Sequence, residues 1–355
     1  MLIGIYTPYL ETMSGGERYI LTIASLLSEI HDVSLLWNKE DEAKYKKLAL
    51  MKLDINIDKV KFDEDIFALP KPEMLRESKK YDQIIYLSDG SIPSVASKLY
   101  VHFQFPVEWV KANIITKIKA RRIRKIFTNS QFTKKYIDRK FGVNSMVLYP
   151  PVTLLKAQKE KENKIISVGR LNKLEDGTYF KRQDILINTF KDLVDNGLKD
   201  WKLVMVISTN KVDHEADLDE LTKASKGYSI EILHNITNEN LINEYESAKL
   251  YWHAAGYDQD LATHPEWAEH FGITTVEAMS AGVVPLVFNA GGQTEIIKNG
   301  VSGYLWNSLK ELKDNTLLLI SSEVKRNEVA TKAIRESKEF SVGKFKEKLM
   351  NMITQ

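Results

Sequence analysis

The sequence predicts an α/β protein of two consecutive Rossmann-like domains, each a parallel sheet flanked by helices, facing one another across a cleft. Three observations predict it. Short apolar runs alternate with stretches of helical period through the first half of the chain. The pair Pro150-Pro151 then interrupts the alternation, and neither a helix nor a central strand continues through two prolines. A second series of the same alternation follows.

Taken in order, residues 3–6, 33–37 and 83–87 are short, apolar and strand-like. Residues 17–30 have helical period, with Ile20, Ile23, Ala24 and Leu27 on one face. Residues 126–128 read as a late strand, and Ser130 as the cap of a helix starting at Gln131. The first domain spans 1–150. The polar segment 156–164 follows the prolines. Strands are then expected at 165–168, 202–207, 230–233, 250–254 and 284–288, with helices at 183–196, 217–224 and 239–248. The second domain spans 151–339. Sheets of this kind bind ligands beyond the carboxyl ends of their strands.

The chain has 355 residues, 43% hydrophobic and 28% charged, the balance of a soluble globular protein. It contains no run of about 18 apolar residues that would span a bilayer. The apolar start is short and lacks a basic leader, so it reads as a strand and not as a signal peptide. The absence of cysteine excludes thiol chemistry, disulfides and thiolate metal sites, and a cytoplasmic location is expected. Net charge is only +2, yet residues 1–150 hold 24 Lys and Arg against 18 Asp and Glu. The excess is concentrated in 111–125, which has Lys111, Lys117, Lys119, Arg121, Arg122, Arg124 and Lys125 and no acid. Trp109 precedes it, and Val110, Ile114 and Ile118 share a helical stripe with Ile115 beside them. Residues 109–125 therefore read as a basic amphipathic helix suited to an anionic membrane, on its inner face. The alternative is a solvated helix packed by its isoleucines. No RNA- or DNA-binding motif accompanies the charge, so no nucleic-acid partner is expected.

The segment carrying most chemistry runs from Glu269 to Gly282 and reads as a loop entering a helix. Phe271, Gly272 and Ile273 would offer free backbone N–H groups at the helix start, an anion site suited to a diphosphate. Thr274 continues that turn. Glu269 and Glu277 lie eight residues apart and suit sugar and ribose hydroxyls; a first-turn acid and a solvated residue are the plainer alternative. Arg170 ends a strand and Lys181 precedes a helix, so both can point at the strand ends where a diphosphate would sit, unless they are surface charges. Gly291-Gly292 follows the next strand and permits a tight turn near a ligand. Asp63-Glu64-Asp65 and Asp258-Gln259-Asp260 have metal-motif spacing, but two acids at that spacing are common by chance.

On these residues the chain resembles the retaining glycosyltransferases of family 4, which have the GT-B fold. The resemblance rests on Glu269…Glu277-Ala278-Met279, Gly169-Arg170-Leu171, Lys181-Arg182-Gln183-Asp184 and Gly291-Gly292-Gln293-Thr294-Glu295-Ile296. Ser14-Gly15-Gly16-Glu17 and Thr128-Asn129-Ser130-Gln131-Phe132-Thr133 extend it into the first half. It implies a hexosyltransferase moving sugar from a GDP- or UDP-sugar to a glycan or lipid-linked acceptor, with no required metal or cofactor. Arg170 and Lys181 would hold the donor diphosphate; Glu269 would hold the transferred sugar, with the amides of 271–273, and Glu277 the ribose. Gly15 and Gly16 would form a loop closing on phosphate or acceptor. His102 would be an active-site histidine after a strand; a satisfied buried histidine is the alternative. The last helix, about 340–355, would return to the first domain. Front-side attack assisted by the donor phosphate would give retention. The loop 172–180 and the segment 257–267 are longer than the family pattern. A catalytically silent nucleotide-sugar-binding protein or partner subunit is the competing reading.

Overall fold

The structure, a computed structural model, describes residues 1–156, 159–174, 176–209 and 215–354. Positions 157–158 in the polar segment, Glu175 in the long loop and Gln355 at the end of the last helix lie outside the described residues. The chain divides into two compact units: Met1–Pro151 with Gly343–Gln355, and Val152–Val342.

The first unit alternates β1 (Leu2–Tyr6), α1 (Gly15–Leu27), β2 (Asp32–Leu36), α2 (Glu42–Leu53), β3 (Lys61–Asp63), α3 (Lys71–Ser78), β4 (Gln83–Ser88), β5 (Lys98–Phe103), α4 (Ile114–Arg121), β6 (Lys125–Thr128), α5 (Gln131–Phe141) and β7 (Met146–Val147). The strands form one parallel sheet in the order β3-β2-β1-β4-β5-β6-β7. Helices cover both faces of such a sheet, so its central strands are apolar on both sides, and every residue of β4 is buried.

The second unit repeats the scheme with β8 (Lys164–Arg170), α6 (Gln183–Asp195), β9 (Lys202–Ser208), α7 (Glu215–Ala224), β10 (Ile230–His234), α8 (Asn238–Ser247), β11 (Leu250–His253), α9 (Ile273–Ser280), β12 (Val284–Phe288), α10 (Gln293–Ile296), β13 (Tyr304–Trp306), α11 (Leu309–Ser321) and α12 (Glu323–Ser337). Its parallel sheet has the order β10-β9-β8-β11-β12-β13. Trp252 and Trp306 are fully buried in its core, and the Trp252 indole donates to Thr316 at 3.1 Å, which satisfies its only polar atom. The last helix, α13 (Val342–Thr354), sets Phe345 edge-on to Tyr19 at 5.3 Å and pairs Lys346 with Glu29 at 2.5 Å, both contacts within the first unit.

Several elements escape the sequence reading. β3 buries only Phe62, too little for a visible alternation. α2 is rich in lysine and buries only Tyr45, Ala49 and Leu53, a stripe one side chain wide. The basic segment needs correction. Helix α4 covers 114–121, not 109–125, because Asn113 caps it by accepting from the Thr116 amide at 2.9 Å and β6 begins at Lys125. Val110 is not on its stripe but packs against the first unit's core. Ile114 and Ile115 are 77% and 66% exposed, and Ile118 and Trp109 are exposed too, so the isoleucines do not pack the helix down.

Candidate functional site

The strand order of the second unit reverses between β8 and β11, and doubly wound sheets bind ligands beyond the strand ends at such a reversal. Arg170 ends β8 and His253 ends β11. Arg170 is exposed, and no carboxylate pairs with it among the described residues. Its backbone carbonyl accepts from Gln183 Nε2 at 3.1 Å, which ties the strand end to the first turn of α6. Arg182 enters α6 in the left-handed region at φ 51° and is buried, donating to the Tyr257 carbonyl.

Lys181, Glu269 and His253 converge here. Glu269 Oε2 accepts from Lys181 Nζ at 2.5 Å and from His253 Nε2 at 2.9 Å. Burial pushes the Glu269 carboxyl up, but the Lys181 charge and the His253 hydrogen bond outweigh it and hold the group well below the carboxylate range. Burial lowers His253 below the usual imidazole value, so the ring is neutral, with its proton on Nε2 facing Glu269. Its Nδ1 is buried without a hydrogen-bond partner. Sequence reading missed His253; an isolated histidine closing an apolar strand carries no local signal. A Cβ at Gly169 would lie 3.0 Å from Lys181 Cγ, so glycine lets the lysine stem cross the end of β8.

Helix α9 begins beside this triangle. Gly272 caps it at φ 117°, a conformation glycine alone adopts at little cost, and Ile273 and Thr274 are half-buried in its first turn. Gly291 and Gly292 serve the loop and not the ligand directly. Cβ atoms there would lie 2.1 Å from the Glu269 carbonyl and 2.5 Å from Phe271 Cα, and the Gly292 amide donates to the Glu269 carbonyl at 2.7 Å. The glycine pair thus fixes the backbone of 269–271. Phe271 is buried, with its ring against that of Phe340 at 5.3 Å. Glu277, one turn into α9, is mostly buried and accepts from the Tyr245 hydroxyl at 3.2 Å. In the long loop after Leu171, Lys173 is bridged antiparallel to Tyr179 and paired with Asp217 of α7 at 2.7 Å. Asp65 and Asp260 spend their carboxylates on turn amides, of Phe67 and of Ala262 and Thr263.

The first unit treats its candidates differently. Gly15 and Gly16 are not in a loop but form the first turn of α1. That helix end already holds an anion of its own: Glu17 is buried and accepts from the Ser14 amide at 3.0 Å and from the Thr12 and Ser14 hydroxyls. A Cβ at Gly16 would lie 2.5 Å from Gln104 Oε1, so glycine here admits Gln104, the residue after β5, whose amide donates to the Gly16 carbonyl at 3.2 Å. His102 lies inside β5, not after it, and is 0% exposed. Its ring packs against Tyr19 at 4.1 Å and Phe127 at 4.6 Å, and its Nδ1 lies 3.2 Å from the Phe127 carbonyl. Burial drives its pKa down to about 3, so the ring is neutral, and its Nε2 is buried without a hydrogen-bond partner.

The second unit thus gathers an arginine, a lysine–glutamate pair and a helix N-terminus at the switch point of a doubly wound sheet, an arrangement able to hold an anion. The family model described as "Glycosyl transferases group 1" matches residues 156–336, just over half the chain, and the chain belongs to that family. It is 24% identical over 253 residues to a GDP-Man:Man(3)GlcNAc(2)-PP-Dol alpha-1,2-mannosyltransferase of Dictyostelium discoideum, covering 64% of this chain and 46% of that protein. It is 30% identical over 112 residues to potato sucrose synthase, 30% of this chain and 14% of the relative. The chain thus spans less than half the length of these curated relatives. Among solved structures, Anabaena HepE in complex with UDP and glucose superposes with a TM-score of 0.71 at 17% identity, over 100% of this chain and 99% of that one. The galactosyltransferase WaaB gives 0.68 at 14% identity, again over 100% and 99%. Both share the two-sheet fold.

Proposed function

We propose that the protein transfers a hexosyl group, with retention, from a nucleoside-diphosphate sugar to a glycan or lipid-linked acceptor. The carrying observation is the convergence of Arg170, Lys181 and the α9 N-terminus on the β8/β11 reversal, with Glu269 held ionised beside them. Departure of a nucleoside diphosphate develops negative charge, and fixed cations and amides aimed at that position lower the barrier without a metal. Lys181 is paired with Glu269 in this structure; a bound diphosphate competes for its ammonium and frees Glu269 oxygens to accept sugar hydroxyls. We assign Glu277, one turn into α9, to the ribose hydroxyls. A silent binding protein would have no use for a lysine and a carboxylate held together at the leaving-group position. The relatives point to two bases, GDP in the mannosyltransferase and UDP in HepE. Turnover assays across GDP- and UDP-hexoses, with the product's anomeric configuration read by NMR, test the proposal. Binding of a donor without hydrolysis or transfer to any acceptor would leave only the silent reading; inversion would remove the retaining mechanism.

The acceptor side includes an anionic membrane. Trp109, Ile114, Ile115 and Ile118 are exposed beside seven cations and no acid in 111–125, a surface that combines apolar insertion with attraction to acidic lipid. Among the described residues no helix is long and apolar enough to cross a membrane, so contact would be peripheral. The protein should sediment with phosphatidylglycerol vesicles at low salt, and Ile114→Ser/Ile115→Ser/Ile118→Ser should release it. Equal partition of wild type and variant overturns this role for α4.

A further inference from the structure

The second unit holds another cluster of cations away from the donor site. Lys161 precedes β8, Lys249 precedes β11 and Gly282 precedes β12, so these residues lie at the amino ends of the strands, whereas Arg170 and His253 lie at the carboxyl ends. There, Lys161, Lys249 and Arg326 line a cavity of about 380 Å³ with Gly282 and Asn327. A volume of that order is enough for a small ligand. Arg326 is 6% exposed and its Nη1 donates to the Leu319 carbonyl at 2.8 Å, closing the last turn of α11. Lys161 Nζ donates to the Ala281 carbonyl at 2.7 Å just past α9, and Lys249 Nζ to Asn163 Oδ1 at 2.6 Å. These contacts explain why cations sit here but use only one donor from each. Each ammonium has three N–H donors and the guanidinium five. No carboxylate pairs with any of the three among the described residues. The two acids on the rim, Glu160 and Glu323, are exposed.

Arg326 is buried and Lys161 and Lys249 are half-buried, and these three cations outnumber the two exposed carboxylates, Glu160 and Glu323, that share the cavity with them. We infer that this cavity is a second ligand site, distinct from the donor site, that takes a compact oxyanion of the phosphate class. An arginine fork flanked by two lysine point charges is the side-chain set that recognises phosphate oxygens. The electrostatics agree. Burial brings Lys161 down to about 8, and burial with the nearby Arg326 charge lowers Lys249. Arg326 is lowered by burial as well. Glu246 near Lys161, Glu323 and Glu160 near Lys249, and Glu323 near Arg326 pull the other way but do not offset the burial.

Equilibrium dialysis of the full chain with radiolabelled inorganic phosphate, at constant chloride ionic strength, tests the site. Wild type should bind phosphate. Arg170→Ala, which alters only the donor site, should keep one phosphate per chain that Lys161→Gln/Lys249→Gln loses. Asn327→Asp supplies a near-isosteric carboxylate at the cavity wall. It should abolish binding and raise the melting temperature above wild type, a result that a misfolded variant cannot mimic. Competition by glycerol phosphate would mark a phosphate monoester as the natural ligand, and its failure a free anion. Retention of the bound phosphate in both Lys161→Gln/Lys249→Gln and Asn327→Asp, or its loss in Arg170→Ala alone, overturns the inference.

Discussion

Removing Lys181 should destabilise the second unit before any question of turnover arises. Lys181→Ala leaves the Glu269 carboxylate buried with His253 as its remaining partner. Breaking one side of a fully buried pair costs ~3–5 kcal/mol. Here the two side chains keep 18% and 16% of their exposure and the His253 bond survives, so a loss of about 2–3 kcal/mol is expected. Replacing the orphaned charge as well, in Lys181→Ala/Glu269→Gln, should recover most of it, since a neutral amide has far less hydration to lose. The pH dependence has a definite sign. Glu269 is depressed in the folded state, so its contribution is present above the unfolded carboxyl value near ~4.3 and fades as pH falls through the folded value. Lys181→Ala should flatten that acid limb. Urea unfolding read by tryptophan fluorescence reports on the right unit, because four of the six tryptophans, Trp201, Trp252, Trp267 and Trp306, belong to it. Equal midpoints for wild type and Lys181→Ala, or a double variant no better than the single one, would refute the idea that Lys181 holds a buried carboxylate ionised.

Three further outcomes follow from the geometry. Gly292→Ala sets a methyl 2.5 Å from the His270 carbonyl and Phe271 Cα, both backbone, so the 269–271 loop must move; donor affinity measured by calorimetry should fall at least tenfold, and unchanged affinity would mean that the glycine pair does not set the anion site. His253→Ala removes a charged hydrogen bond of about 1.5–3 kcal/mol, and turnover should drop by ~10–100-fold, while His253→Gln should restore part of it; equal rates in wild type and His253→Ala would free Glu269 from its histidine. His102→Phe should keep near-wild-type turnover, since the ring is neutral and stacked in the core; a folded variant with no turnover would return His102 to the chemistry.

The sequence was enough to show the two-unit α/β plan, because apolar strands buried on both faces and a proline pair are local patterns. It also marked Arg170, Lys181, Glu269 and Glu277, because each sits in a short motif. It read the exposed isoleucines of α4 ambiguously, since a stripe does not say whether anything covers it. It set His102 after a strand and the glycines at 15–16 in a loop, whereas His102 lies buried inside β5 and the glycines form the first turn of α1. Only the folded chain joined Lys181 to a glutamate 88 residues away and added His253 to the pair. The strand reversal that brings the ends of β8 and β11 together lies in the order of the sheet, and that order is set by long-range pairing, which no stretch of sequence encodes by itself.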